Sequence, residues 1–581
     1  MKSASTLVFL IFSYHLQLSA ANSQNVTLIG CEVDDLSNQT IRDVTVLFVF
    51  HCNIPILQNA VFLRHTKLET LQISESKISK LEDFSLNGLL SLKSLDLARN
   101  NISQVKSWSD EDLINVTALD LRRNSIKNLD ADSFRRFPNL QKLNLAVNLI
   151  QVITYGVLRS MPALKYINIG KNQLKQIDMH TFRGLHKLSH IAMHYNRIEE
   201  VNPQAFDTNN HLRSLRLEAN SIVDLKFMAQ MNLARLVHLN LSNNAIDSLK
   251  RMAFTKDTEL KSLDVSYNLI EEIYADTLSG LESLEMFNAS HNHIHTIAAK
   301  SFLELTSLTH LDISANNLTH LPVYIFNTTR RLSYINMSNN ALEHLESNHF
   351  HEMSAQLQLL DLSINHLHCD NFIEGLLAHR RQRERKPHQQ PAVLKLLDLS
   401  YNAYSVLNLS VLYEFERVDL SGNLWDCKWL IQEMIHGPDT IRFGRNYTMK
   451  SAEGDVLSVP GVDCYDERSK RSIILIDGWN VMGSRVENPI SSLVFWSNIN
   501  SNHQLDNKDI TIAILLFILL GFVAVQTVRI ILARWSCKSK KKLKQSNNNE
   551  KEMEMEKIEM MSCVDETLSV DSKIENEKNN L

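Results

Sequence analysis

The sequence predicts an α/β solenoid. Stacked coils share one parallel β-sheet on the concave face of a horseshoe, with a cap at each end and one transmembrane helix beyond. Three observations predict it: a 24-residue phrase recurs along most of the chain, cysteines bracket the recurring region, and apolar segments stand near both chain ends. At 581 residues, with 44% hydrophobic and 22% charged residues, the chain has the composition of a folded protein. Its net charge of −5 is spread thinly, which argues against a nucleic-acid partner, because phosphate contacts need a dense basic surface.

The chain opens MKSASTLVFLIFSYHLQLSAANSQ, with Lys2, an apolar run from Leu7 and then small residues. This is the pattern of a signal peptide over residues 1–21, cut after Ala21 or Ser23. An N-terminal cap with a first degenerate repeat is expected over 24–54, where Cys31 and Cys52 bracket VTVLFVFHCNI. In a secreted chain a disulfide closing such a loop stabilises by about 3 kcal/mol. The other reading is that Cys52 stands in for the asparagine of the repeat.

Residues 55–424 carry the repeat. Leu308–Leu332 reads LTHLDISANNLTHLPVYIFNTTRRL and fits L-x-x-L-x-L-x-x-N-x-L, the leucine-rich repeat. Its ninth position steps by 24 through Cys52, Ser76, Asn100, Asn124, Asn148, Asn172, Asn196, Asn220, Asn244, Asn268, Asn292, Asn316 and Asn340. Asn365, Asn402 and Asn423 follow after 25, 37 and 21 residues, making sixteen coils. Leu308, Leu311, Ile313 and Leu318 are expected inside, and Asp312 and Ser314 outside, a short strand. No single coil can bury its apolar face, so neighbours must share a core. The asparagine amide, both donor and acceptor, is expected to satisfy backbone groups where the chain leaves the strand. Phe134, Phe182, Phe206, Phe254, Phe302, Phe326 and Phe350 keep the same 24-residue grid and are read as core on the convex side.

Between Asn365 and Asn402 lies a basic insert, residues 379–391, HRRQRERKPHQQP. It is too polar for the core and is expected as an exposed loop, open to an anionic partner or to nicking. LSGNLWDCKWLIQEMI then begins a cap at 425–465. It resembles the cysteine-containing C-terminal cap of extracellular leucine-rich-repeat proteins, and that resemblance implies a Cys427–Cys464 disulfide. Such caps usually hold four cysteines, and here two are evident. Cys369 is left over, which suggests a buried thiol or an intermolecular disulfide.

A stalk is expected at 466–509. Its RSKRS, Arg468–Ser472, resembles the R-x-K-R site of secretory convertases, and cleavage after Arg471 would release the solenoid. Ile510–Val528 has 19 uncharged residues, about 28 Å of helix against roughly 30 Å of hydrocarbon. Asp506 and Asp509 precede it; Arg529, Arg534 and five lysines between 538 and 544 follow. The positive flank stays cytoplasmic. The expectation is a single-pass type I protein of the plasma membrane, with its span at 510–532 and an acidic, coreless tail at 533–581. That tail is too short for a kinase or a Toll signalling domain.

Eleven N-x-S/T sequons precede the span: Asn25, Asn38, Asn101, Asn115, Asn240, Asn288, Asn317, Asn327, Asn336, Asn408 and Asn446. Asn240, Asn288 and Asn336 fall at the centre of the exposed strand position, so glycans there would crowd coils nine to thirteen. Earlier coils present Arg122, Lys142, Lys165, His190, Arg213 and Arg216, with Arg123 and Lys171 beside them, and the concave face of coils four to eight is the candidate ligand surface. His291, His293 and His295 straddle a strand exit, where their rings need not converge, and no metal site is expected. No Gly-rich phosphate loop, nucleophile elbow or paired carboxylates stand out, so neither an enzyme nor a cofactor is expected.

Over roughly residues 31–465 the chain resembles extracellular leucine-rich-repeat receptors. Its LDLSxN strands are similar to the ectodomains of Toll-type receptors and insect adhesion proteins. NLWDCKWL and the lone Cys369 resemble the mosquito leucine-rich-repeat immune proteins, including their membrane-anchored branch. What the resemblance implies is innate defence: a protein or microbial-surface ligand, complement-like thioester partners, and disulfide-linked homo- or heterodimers. Soluble members of that group carry an extracellular coiled coil, whereas no sustained heptads lie between Cys464 and the span. The alternative is a cell-adhesion or guidance protein that binds a partner on another cell.

Overall fold

The computed structural model describes residues 25–476, except 38–42, 106–110, 231–233, 250–253, 255–258, 384–393, 435–440, 443–444, 451–455 and 467–470. The expected leader, Asn38, most of the basic insert, the transmembrane span and the tail lie outside the described residues. Among those described, no helix is long and apolar enough to cross a membrane.

Alternation over three residues builds the sheet. In His310–Asp312 the central Leu311 is buried, while His310 and Asp312 face away from the core. The same triplet recurs one coil on, so Leu143 pairs with Ile167 and Ile167 with Ile191, all in parallel register. Eighteen described strands join in this way, from Asn25–Ile29 to Ile441–Arg442. Leu308, Leu311, Ile313 and Leu318 are fully buried, and so, to within 1% exposure, are the seven grid phenylalanines. Neighbouring phenylalanine rings touch along the stack, with centroids 5.4 Å apart for Phe182–Phe206 and 6.1 Å for Phe326–Phe350.

The asparagines form the expected spine. Asn148 Nδ2 donates to the carbonyls of Leu121 and Leu145 at 3.0 Å, and its Oδ1 accepts from the Ile126 N–H at 3.0 Å. One side chain thus ties two coils through backbone groups that would otherwise be buried without partners. The residue just before each spine position turns left-handed, with φ between +51° and +58° from His51 to Tyr401. That conformation swings the chain from the sheet back into the core.

Ser314 departs from its expected outward position. It is only 8% exposed, and its Oγ donates to Asp312 Oδ1 at 2.6 Å. The chain is already turning inward at this point, so the position is a slot for small residues: Ala98, Ala146, Ser266, Ser290 and Ser363 fill it in other coils and are buried there.

Both caps are closed by disulfides, Cys31–Cys52 and Cys427–Cys464. Asn25–Ile29 pairs in parallel with Val46–Phe50, adding a strand before the first repeat. Cys52 satisfies both of its sequence readings, since it is bonded to Cys31 while its N–H donates to Ser76 Oγ in the spine column. The C-terminal cap runs from the Cys427–Met434 helix, behind the buried Trp425, into three antiparallel strands. The last of these, Arg471–Ile476, pairs with Val456–Asp466, so the cap extends beyond the expected boundary at 465. The basic insert is not all loop either. Helix Ile373–Arg383 carries residues 379–383, because Leu376, Leu377 and Ala378 favour a helix and the first two bury on the core. Gly375 lets that helix in, since a Cβ there would overlap the Ser347 carbonyl.

Candidate ligand-binding face

Two side-chain columns run along the outer face of the sheet. The first holds Lys142, Tyr166, His190, Ser214 and His238 in register. Lys165 and Arg213 stand one residue before their strands, and Lys165 Nζ donates to Gln141 Oε1 at 3.0 Å. Together Gln141, Lys142, Lys165, Tyr166, Ser189 and His190 line a depression of about 560 Å³. Three of the six candidate residues therefore converge. Burial depresses the His190 pKa, and His238 and Arg213 push it the same way; the ring is neutral at pH 7 and sits 2.8 Å from Ser189 Oγ.

The second column is nearly uniform. From Asp96 to Asp419 its residue is Asp or Asn, and its Oδ1 accepts from the N–H two positions on, as in Asp96–Ala98, Asn168–Gly170 and Asp264–Ser266. The column breaks at two adjacent coils, where Ala192 and Arg216 stand instead. In those same coils the small-residue slot holds His194 and Glu218.

The intrusion is accommodated by a neighbour and leaves polar atoms unspent. Gly170 occupies the slot one coil earlier, and the His194 imidazole fills the space its Cβ would need. Glu218 is 8% exposed; its Oε1 accepts from Arg216 Nε at 2.9 Å, whereas Oε2 is buried without a hydrogen-bond partner. His194 Nδ1 is equally buried and unpartnered. Burial depresses the His194 pKa; Glu218 opposes the shift, and Arg216 and Lys171 add to it. Beside this cluster Lys171 Nζ lies 4.9 Å from the centre of the exposed Tyr195 ring. Buried orphan polar atoms are costly, and these two mark where the regular face is interrupted.

The remaining candidates are placed less favourably. Arg122 is held by Asp120 at 3.3 Å, and Arg216 is tied to Glu218, so neither presents its full charge. The sequence reading missed Gly170, His194 and Glu218. Their signal was the loss of the LDLS pattern in GKN, MHYN and LEAN.

Among the other sites, Asn25, Asn101, Asn115, Asn317, Asn327 and Asn408 are exposed, and Asn240, Asn288 and Asn336 are half-buried on the sheet. Asn446 lies in the Arg445–Lys450 strand. Cys369 is half-buried and carries a free thiol. His291 stacks on Tyr267 with centroids 4.1 Å apart. Arg471 opens a strand and pairs with Asp466, so the candidate convertase bond is sheet backbone.

A leucine rich repeat model matches residues 66–111, 114–174, 162–222, 234–294 and 306–367. With the parallel strands and the asparagine spine, this makes the chain a leucine-rich-repeat protein. No curated protein matches it. Among solved structures it is similar to Toll in the Drosophila Toll–Spatzle complex, with 18% identity, TM-score 0.59, and coverage of 73% of this chain and 61% of that one. It is also similar to TLR13 in complex with ssRNA13, at 22% identity and TM-score 0.56, over 73% of this chain and 58% of that one. A Leptospira interrogans leucine-rich-repeat protein aligns at 21% identity and TM-score 0.54, over 65% of this chain and 91% of its own. The chain thus spans about three-fifths of the length of Toll and of TLR13 in those structures, and identities this low establish the fold alone.

Proposed function

We propose that this protein is a cell-surface recognition scaffold of innate immunity. It binds a protein or microbial-surface ligand on the sheet face of coils five to eight and is held outside the membrane by the span at 510–532. The observation that carries the reading is the double break in the Asp/Asn column at Ala192 and Arg216. There the regular face gives way to His194 and Glu218, with unsatisfied buried polar atoms next to the Lys142–Lys165–His190 depression. A face built only for stacking would repeat its cheapest residue; a face built for a partner departs where the partner sits.

The test is affinity capture on immobilised solenoid, residues 24–481, from the animal's own body fluid before and after microbial challenge. Wild type is compared with a Lys142→Glu, Lys165→Glu variant and with Glu218→Ala. A ligand retained by wild type and lost from both variants supports the reading. Equal capture on all three moves the ligand off this face. Capture only of intact cells of the same animal favours the adhesion alternative.

A further inference from the structure

The repeat stacks not only leucines but also histidines. His320, His344 and His368 are 24 residues apart on the flank where the chain leaves the sheet. His344 and His368 are exposed on adjacent coils, their rings crossing at 71° with centroids 4.5 Å apart. The next residue is Cys369, the only free thiol among the described residues. One ligating atom from each of His344, His368 and Cys369 lies within 4.8 Å of the others.

We propose that His344, His368 and Cys369 bind a zinc ion, with two imidazole nitrogens and the Cys369 thiolate as three of its four ligands. The donor set selects the metal: imidazole and thiolate suit a borderline-soft cation such as Zn²⁺, whereas Ca²⁺ and Mg²⁺ require oxygen. Around tetrahedral zinc, N and S ligands stand roughly 3.3–3.5 Å apart. The groups must therefore close by up to about 1.5 Å, which two exposed histidine side chains achieve by χ rotations. As the metal binds, it replaces the thiol proton, which passes to solvent.

The surroundings already orient two of the ligands. His368 Nδ1 lies 3.3 Å from the His366 carbonyl, which fixes Nδ1 as the protonated nitrogen and leaves Nε2 to ligate. The Cys369 carbonyl accepts from the Tyr404 hydroxyl at 3.2 Å, and Tyr404 is fully buried, anchoring the backbone beneath the thiol. A depression of about 460 Å³, lined in part by His368, Cys369, Asp370 and Trp429, opens beside the thiol and leaves the fourth position accessible to water or to a ligand.

Cobalt(II) reports on this site directly, because a thiolate ligand gives it an intense near-ultraviolet charge-transfer band. The protein is the full chain in detergent, with Cys537→Ser and Cys563→Ser removing the other free thiols. The expected result is a thiolate band saturating at one cobalt per chain and bleached by stoichiometric Zn²⁺. The band is absent in Cys369→Ser, and cobalt binds at least roughly tenfold more weakly in His344→Ala and His368→Ala. Both histidines are exposed, and an unchanged thermal melt checks that the variants fold. Zn²⁺ is also expected to protect Cys369 from maleimide in wild type but not in the histidine variants. A cobalt band that persists without Cys369, affinity unchanged in both histidine variants, or a Cys369 fully consumed in an interchain disulfide would each overturn the site.

Discussion

The imidazole of His194 fills the space that a side chain at position 170 would need, so Gly170 is required by its neighbour in the next coil and not by its own backbone turn. Gly170→Ala should therefore expel the ring from its slot. Because burial is the main force lowering the His194 pKa, the expelled ring should titrate higher, back toward the ordinary value near 6.5. An NMR titration of His194 in wild type and Gly170→Ala measures this. The same variant should weaken ligand capture, since it disturbs the orphaned Nδ1. An unchanged titration would mean that the slot does not hold the ring.

Acidification should destabilise the solenoid through three of its histidines. His190, His194 and His349 all have pKa values lowered chiefly by burial. Between each lowered value and about 6.5, the unfolded chain binds more protons than the folded one, so stability falls as pH drops through that window. His349 is the clearest case: it is 3% exposed, Nδ1 accepts from the Glu346 N–H at 2.9 Å, and Nε2 faces the Leu321 carbonyl at 3.3 Å. Only the neutral ring serves both. Asp96, Asp264 and Asp398 act in the opposite sense, because burial raises their pKa values and their cost is relieved as pH falls toward 3.8. Thermal melts between pH 7.5 and pH 5 should decline, and His349→Gln should flatten the decline while lowering stability at pH 7.5.

The period, the inward leucines, the phenylalanine column and the asparagine spine were legible in the sequence because each repeats, and repetition averages out local exceptions. The N-terminal disulfide was legible from cysteine placement and the secretory context. The small-residue slot was misread at Ser314, since strict alternation ignores the inward turn that begins one residue after the strand. The helix through 379–383 was hidden because a run of arginines reads as loop when only polarity is weighed. At the candidate face, Lys142, Lys165 and His190 were visible as charge, whereas Gly170, His194 and Glu218 were not. Their role is steric and depends on which coil lies next to which.

The left-handed position before each spine asparagine predicts a stabilising substitution. Glycine or asparagine tolerates φ near +55°; a β-branched side chain crowds its own backbone. Val147 has φ +58° and is pinned by its N–H bond to the Gly170 carbonyl at 2.9 Å. Asn243 and Asn339 occupy the same position with φ +53° and +54°. Val147→Asn should therefore raise unfolding free energy by about 1 kcal/mol, measured by denaturant titration. Val147→Gly should gain less, because glycine also frees the unfolded chain. Destabilisation by asparagine would indicate that the partly exposed valine contributes packing that outweighs its strain.

The three sequons on the sheet face have a structural origin, and this makes their glycosylation predictable. In the Asp coils, Ser266 Oγ donates to Asp264 Oδ1 at 2.7 Å; in the Asn coils, Ser242, Ser290 and Ser338 make the same bond to Asn240, Asn288 and Asn336 at 2.7–2.8 Å. Replacing Asp by Asn within this bonded pair writes N-x-S automatically, without any demand for sugar. Asn336 Nδ2, the atom a glycan would occupy, also donates to Asp312 Oδ2 at 3.2 Å. Neighbouring strands stand only about 4.8 Å apart, so a sugar at these half-buried positions must break that bond and stand between flanking columns. Asn101, Asn317 and Asn327 are exposed and carry no such constraint. Glycopeptide mass spectrometry of the solenoid passed through a secretory host should find these three occupied in most molecules, and Asn240, Asn288 and Asn336 in a minority. Comparable occupancy at all six would mean that the sugar is attached before the ladder closes and that coils nine to thirteen are sheathed, leaving the sheet of the earlier coils bare.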